Sequence, residues 1–291
     1  MPVRGYAMLC SARPRGVLRL LICQLSDLHV CAPGVLAYRR VDTAAHVRRC
    51  VADIARLDPR PDVILITGDI ADRGGAAEYE HARVLLAPLS IPVHVIPGNH
   101  DDRDGLRQAF PSPSYANGMS DFLQYTAEIG PIRLIALDTL VPGEGGGMLC
   151  ERRLEWLTKT LERVRDSPVV IMMHHPPFDT GIAYMDAVGL KTARPLELIV
   201  RSHSNVEAIL CGHVHRTMVR RYGGTIAATS PSPAHQVALD FATEAPACFV
   251  MEPPGYLLHR WEERNGFTTY AAVVGDYDGP YRFYEPGTAA N

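Results

Sequence analysis

Five apolar runs in this chain each end in a short cluster drawn from Asp, Asn, Gly and His, and no other feature restricts the fold as tightly. The runs are Leu18 to Leu25, Val63 to Thr67, Val93 to Pro97, Val169 to Met173 and Ala208 to Cys211. They lead into Asp27-Leu28-His29, Gly68-Asp69, Gly98-Asn99-His100-Asp101, His174-His175 and Gly212-His213-Val214-His215. Apolar stretches this short, closed by turn-forming residues, read as strands. Val63 to Thr67 and Val169 to Met173 are apolar on both alternating faces, as strands covered on two sides must be. Further strands are expected at Ile132 to Leu137 and Thr225 to Ala228.

Helical spacing intervenes. Val41 to Leu57 repeats Val41, Ala44, Ala45, Val51, Ile54 and Ala55 at helical intervals before Asp58-Pro59. Ala76 to Leu86 and Glu151 to Val164 follow the same period, the latter with Leu154, Leu157, Leu161 and Val164 on one stripe. Strands alternating with helices predict a layered α/β core. Open α/β sheets bind ligands at the carboxyl ends of their strands, so five clusters placed there can share one crevice.

Those clusters hold the donors of a two-metal site. Asp27 and His29, two residues apart, face the same way if the chain stays extended, and His213 and His215 repeat the device. Asp69 offers an oxygen pair able to bridge two cations, and Asn99 a neutral oxygen. Mixed oxygen and imidazole ligation without cysteine suits zinc, manganese or iron(II) and disfavours a structural zinc knot. Taken singly, each element has a blander reading: a lone Asp-x-His after a strand is more often a turn. His175 reads as well as a structural residue as a substrate contact. His46, His81, His94, His203 and His259 read as ordinary surface or helix histidines, and Asp138 and Thr139 as a structural turn. Gly145-Gly146-Gly147 lacks the lysine and the strand-to-helix setting of a phosphate-binding loop and reads as a flexible surface loop.

Composition narrows the partners. Of 291 residues 47% are hydrophobic and 21% charged, with a net charge of -3 and a pI near 6.5, so no basic face argues for a nucleic-acid polymer. No apolar run reaches the roughly 20 residues a bilayer span requires, and no membrane partner is expected. Seven cysteines without a C-x-x-C pair suggest reduced thiols and a cytoplasmic setting. Residues 1–17, carrying Arg4, Arg13 and Arg15, are expected to be a disordered basic lead-in, with Met8 as an alternative start. Pro231, Pro233, Pro246, Pro253 and Pro254 then interrupt the pattern. A catalytic domain over 18–230 and a C-terminal cap or oligomerisation segment over 231–291 are expected, with Tyr277, Tyr281, Phe283 and Tyr284 packing on a second copy or on their own core.

As a set, in order from Leu20 to about Arg216, the clusters resemble the calcineurin-like metallophosphoesterase superfamily, whose pattern runs D-x-H, G-D, G-N-H-D/E, H, G-H-x-H. Gly98 to Arg103 and His174-His175-Pro176-Pro177, with Ser232 to Val237 and Met251 to Arg260, look like its bacterial class III cyclic-nucleotide and glycerophosphodiester phosphodiesterases. The resemblance implies an α-β-β-α sandwich and two divalent metal ions, Mn, Fe, Zn or Co. Asp27, His29 and His215 would hold one ion, Asn99, His174 and His213 the other, and Asp69 would bridge. It further implies hydrolysis of a small phosphodiester by a metal-bridging hydroxide, with His100 as proton donor to the leaving group and Asp101 orienting its imidazole. His235 resembles a position at the substrate mouth, shared with His175 and with Tyr38 and Arg39 on the rim. Two divalent ions against two carboxylates and a hydroxide leave roughly one positive charge, which suits a diester monoanion better than a monoester dianion. The alternatives are a phosphomonoesterase or protein phosphatase and, less favoured because no ligand is missing, a non-catalytic metal-binding scaffold.

Overall fold

A computed structural model describes residues 19–283; the expected lead-in and Tyr284 lie outside the described residues. Three parallel strands come first, β1 (Arg19–Leu25), β2 (Val63–Ile66) and β3 (Val93–Val95), joined by α1 (Thr43–Ala55) and α2 (Ala76–Leu86). The Asp42 carboxylate caps α1 by accepting from the Ala45 N–H at 2.9 Å, and Val47, Cys50, Val51 and Ile54 form its buried stripe. A third helix, α3 (Arg103–Ala109), leads to six strands of a second sheet: β4 (Tyr125–Ile129), β5 (Ile132–Ala136), β6 (Val169–Met172), β7 (Val206–Cys211), β8 (Met218–Tyr222) and β9 (Thr225–Thr229). Helices α4 (Glu151–Arg163), α5 (Ala183–Ala187) and α6 (Ala193–Arg201) lie between them in sequence. The order is β4-β5-β6-β7-β9-β8, parallel except for the two antiparallel edges.

Alternation across the second sheet shows how the layers stack. Leu134, Ala136, Val170, Met172, Ala208 and Leu210 pack into one cluster with Leu20, Ile22 and Leu25 of β1 and Val63 to Ile66 of β2. Their neighbours Ile135, Leu137, Val169, Ile171 and Ile209 point the other way, against Leu157 and Leu161 of α4 and Leu196 and Val200 of α6. Two sheets face each other with helices outside, an α-β-β-α sandwich. Strands buried on both faces explain the unbroken apolar runs. Among the described residues no helix is long and apolar enough to cross a membrane.

The C-terminal segment departs from its expected character. After a two-stranded ribbon of β10 (Gln236–Val237) and β11 (Phe249–Val250), the chain re-enters the first sheet as β12 (Gly255–Glu262) and β13 (Gly266–Val273), giving the order β13-β12-β1-β2-β3. β12 pairs antiparallel with β1 from Arg19↔Glu262 to Gln24↔Leu257. Tyr256 and Trp261 join the main core, and Leu257 is fully buried. The prolines that suggested a looser segment occupy the connections, while the strands between them are integral to the sandwich. Tyr277, Tyr281 and Phe283 stand exposed.

His259 is likewise neither a surface nor a helix histidine. It is 1% exposed on β12, Nε2 donating to Gln24 Oε1 at 2.9 Å and Nδ1 taking the Thr269 hydroxyl at 2.9 Å. Burial pushes its pKa from 6.5 to about 3, so the folded protein keeps it neutral while the unfolded chain binds a proton below pH 6.5. Stability from this group is present above pH 6.5 and is lost as pH falls towards 3. Between pH 7 and pH 5 the wild type should lose about 2 kcal/mol more unfolding free energy than His259→Gln, measured by urea denaturation in equal metal. Identical pH slopes would refute the assignment.

Candidate metal centre

The five clusters converge at one end of the sandwich. Asp27 and His29 follow β1, Asp69 follows β2, Asn99 and His100 follow β3, His174 follows β6, and His213 and His215 follow β7. Five of these residues carry positive φ: Asp27 at 55°, His29 at 44°, Asp69 at 51°, His213 at 72° and His215 at 54°. The extended alternation expected to bring Asp27/His29 and His213/His215 to one side is therefore absent. Left-handed residues separated by Leu28 or Val214, both fully buried, wind the chain tightly and turn both polar side chains inward. Non-glycine residues in that region cost of order 1–3 kcal/mol each and persist only where the surroundings over-determine them.

The surroundings do so here. The Asp27 N–H donates to Gly68 O at 3.0 Å and the His29 N–H to Asp69 O at 2.9 Å, tying the first turn to the second. The His213 N–H donates to Asp27 Oδ1 at 3.0 Å, and the His100 N–H to Asp69 Oδ1 at 2.9 Å. Backbones approach so closely that a Cβ on Gly98 would lie 2.1 Å from Asp69 Oδ1, and one on Gly212 1.9 Å from Ser26 Oγ. The glycines before the donor residues are steric requirements of this packing.

Seven candidate donors meet inside. Asp69 Oδ2 lies 3.6 Å from His29 Nε2 and 3.4 Å from His174 Nε2, between two groups. On one side, His29 Nε2 faces His215 Nε2 at 3.1 Å, with Asp27 Oδ1 3.6 Å from the latter. On the other, Asn99 Oδ1 is 3.1 Å from His174 Nε2 and 3.0 Å from His213 Nδ1. The remote nitrogens of three histidines meet backbone carbonyls: His174 Nδ1 at Thr67 O (2.8 Å), His213 Nε2 at Val188 O (3.1 Å) and His215 Nδ1 at His235 O (3.0 Å). A carbonyl only accepts, so the remote nitrogen carries the hydrogen and the inward nitrogen presents a lone pair. Lone pairs aimed at one another and at an amide oxygen are repulsive unless a cation lies between them, and the donor set fits divalent metal.

Electrostatics of the protein groups agree for His213 and His215, whereas His174 is drawn towards its protonated form by Asp69. Burial holds His213 well below its usual range and His215 at about 4, the second against the pull of Asp27. Burial also disfavours charge on His174, but the Asp69 carboxylate outweighs it and lifts that imidazole to about 9. Asp69 is itself held well below the carboxylate range: burial opposes its charge, and His174 and His29 overcome that.

Several expected roles change. Asp101 does not touch the His100 imidazole. Its carboxylate accepts from the N–H groups of Gly98, Ile70 and Ala71 at 3.0 to 3.1 Å and from the Tyr79 hydroxyl at 3.1 Å, clamping two loops together. Burial raises it to about 6 against those donors. What orients His100 is Asp72, whose carbonyl accepts from Nδ1 at 2.7 Å. The Asp72 carboxylate lies 3.6 Å from His29 Nδ1, a buried nitrogen with no hydrogen-bond partner. Asp72 is missing from the residues expected at the site; its signal was the polar Asp72-Arg73-Gly74 only three residues after Asp69.

His175 is sealed from substrate, fully buried with Nδ1 on the Thr139 hydroxyl at 2.8 Å and Nε2 on Gly145 O at 3.0 Å. Its ring instead packs 4.4 Å from that of His213. Gly146 and Gly147 are buried, the latter against the His175 ring, so two of the three glycines form a packed wall rather than a flexible loop, while Gly145 stays exposed. Asp138 is structural as expected, forked by Arg103 at 2.6 and 2.9 Å. Arg39 is exposed outside the site, whereas Tyr38 and His235 line it.

Above the donors opens a cleft of about 450 Å³. His29, Asp69, Asn99, His100, His213 and His215 form its floor, and Tyr38, Tyr184, His235 and Phe249 its aromatic walls. The ring of Tyr38 lies 4.9 Å from that of Phe249 and 5.2 Å from that of His235. Tyr184 and Phe249 have no counterpart among the residues expected at the site, because α5 and β11, far apart in the chain, bring them here.

Residues 20–217 match the calcineurin-like phosphoesterase family. The chain is 40% identical over 266 residues to a probable glycerophosphodiester phosphodiesterase GpdQ of Arcobacter nitrofigilis, covering 91% of this chain and 97% of that one. It is 31% identical over 260 residues to the 3',5'-cyclic adenosine monophosphate phosphodiesterase CpdA of Pseudomonas aeruginosa, covering 88% and 91%. A dimetal phosphatase from Danio rerio superposes with a TM-score of 0.61 at 16% identity over 88% of this chain and 99% of that one, a likeness of fold. Because Asp72 faces the outer nitrogen of His29, Asp72→Ala should weaken metal binding about 10- to 100-fold, read by competition with a chelating dye. Wild-type affinity in that variant would remove Asp72 from the site.

Proposed function

The chain belongs to the calcineurin-like phosphoesterase family, and from that premise we propose that it is a dinuclear metal-dependent phosphodiesterase acting on small diesters. The observation that carries this reading is the inward presentation of Asp27, His29, Asp69, Asn99, His174, His213 and His215, with the remote nitrogens of three histidines engaged by carbonyls. Asp27, His29 and His215 would hold one divalent ion, Asn99, His174 and His213 the other, and Asp69 would serve both. Such ions supply positive charge for the non-bridging phosphate oxygens and lower the pKa of water. Manganese, iron, zinc and cobalt all suit this ligand set, and availability decides among them.

The protein's own groups do the rest. The left-handed turns hold the donors before substrate arrives, so little reorganisation accompanies reaction. Among the described residues no lysine or arginine lines the aromatic cleft, which therefore has no fixed cation for a second phosphate or a dianion. A diester monoanion, such as a glycerophosphodiester or a 3',5'-cyclic nucleotide, suits it better than a monoester. His100, positioned through Nδ1 by Asp72, opens its other edge to this cleft and would deliver a proton to the departing oxygen. Scattered free thiols and no disulfide among the described residues accord with a cytoplasmic enzyme.

Metal-stripped protein resupplied with Mn²⁺, Zn²⁺, Co²⁺ or Fe²⁺ should hydrolyse bis(p-nitrophenyl) phosphate faster than p-nitrophenyl phosphate; failure on the diester with every ion would sink the reading. His100→Ala should slow alkyl leaving groups by about 10² to 10⁴ but p-nitrophenolate far less, because the latter leaves without a proton. Equal losses on both would leave His100 without its assigned part.

A further inference from the structure

Asn99 stands at the junction of two clefts. The aromatic cleft already described lies on one side. On the other a second cleft of about 540 Å³ is lined by Asp102, Arg103, Arg107, Ser120, Asp121 and Pro142, among others. Asn99 is the one lining residue they share; His100 belongs to the aromatic cleft and Asp101 to the polar one. A phosphorus held at Asn99 would thus have space for a substituent in two directions, of opposite character.

We propose that the substrates are acyclic diesters whose two alcohol arms part at Asn99, the leaving alcohol lying in the aromatic cleft and the retained alcohol in the polar one. This rests on the phosphodiesterase reading above and selects among its substrates. A 3',5'-cyclic nucleotide ties both ester oxygens to one ribose, so its organic part lies on a single side and leaves the second cleft empty. An acyclic diester fills both.

Charge describes the retained arm. Both arginines of the polar cleft are already committed: Arg103 to Asp138 and the Leu140 carbonyl, Arg107 to Asp104 and the carbonyls of Ser120 and Phe122. Asp121 is likewise paired, with Arg152 at 3.0 Å, and Asp102 caps α3 through the Gly105 N–H at 2.7 Å, so among the described residues the cleft offers no free cation and favours hydroxyl or ammonium groups over a second anion. The direction of cleavage follows from His100. The water oxygen bonds to phosphorus, and the bond to the ester oxygen in the aromatic cleft breaks. That oxygen keeps the electron pair and takes a proton from His100. One water hydrogen replaces that proton and the other ends on the phosphate or in solvent. The monoester in the polar cleft and the free alcohol in the aromatic cleft are the products.

Ser120 is exposed on the polar cleft and Pro142 lines it too, so Ser120→Trp and Pro142→Trp each narrow it. With p-nitrophenolate leaving in both cases, bis(p-nitrophenyl) phosphate places an aryl arm in the polar cleft and methyl p-nitrophenyl phosphate only a methyl. The ratio of their kcat/KM values should fall at least about tenfold in either variant. In the wild-type holoenzyme, glycerophosphoethanolamine should exceed 3',5'-cyclic AMP in kcat/KM by about tenfold or more. An unchanged ratio in both folded, metal-loaded variants, or a preference for the cyclic diester, overturns the two-cleft assignment while the phosphodiesterase reading stands. Failure of the wild type on every diester overturns both.

Discussion

Everything at the site depends on how closely the strand ends approach one another. The end of β3 lies against the end of β2 so tightly that only glycine fits at position 98 beside the Asp69 carboxylate, and Gly212 meets Ser26 in the same way. With backbones at that separation, short side chains from five strands reach a common point and polar main-chain groups of one turn satisfy those of the next. Strain in the left-handed residues is the cost of that convergence. It is offset by the apolar strands behind it, which are buried on both faces and cannot shift independently.

Much of this was legible in the residues themselves. Runs such as Val63 to Ile66 and Val169 to Met172 can be little but doubly covered strands, and polar clusters at their carboxyl ends have only one side of a sheet on which to gather. Less was legible where a role depends on neighbours remote in the chain. Asp101 adjoins His100 in sequence, yet α3 begins just beyond it and turns its carboxylate back onto the Ile70 and Ala71 amides. His175 adjoins His174, but the bend after β6 sends its ring away from the donors, towards Thr139 and Gly145. Tyr184 and Phe249 carry no local pattern at all, since a cleft wall is made by whatever α5 and β11 bring to it.

The C-terminal strands illustrate the same limit on a larger scale. Proline-rich connections obscured β12, whose burial comes from pairing with β1 more than two hundred residues earlier. Through His259 it also reaches the site's foundations. His259 holds the Gln24 carbonyl, and the Gln24 amide donates to the Thr67 hydroxyl at 3.0 Å and to Cys211 O at 2.8 Å. Thr67 precedes the Gly68-Asp69 turn and Cys211 precedes Gly212-His213, so one buried amide joins the two sheets just beneath the metal donors. Such a network, fully satisfied in a dry interior, confines the strand ends to a single relative position.

Because β1 lacks its β12 neighbour until Gly255 to Glu262 have been made, a chain still emerging from the ribosome already carries all seven donors but not the frame that aims them. The donors are aimed only once Gly255 to Glu262 have been made and paired with β1, and cargo captured earlier would sit among histidines with no fixed shape to discriminate one cation from another.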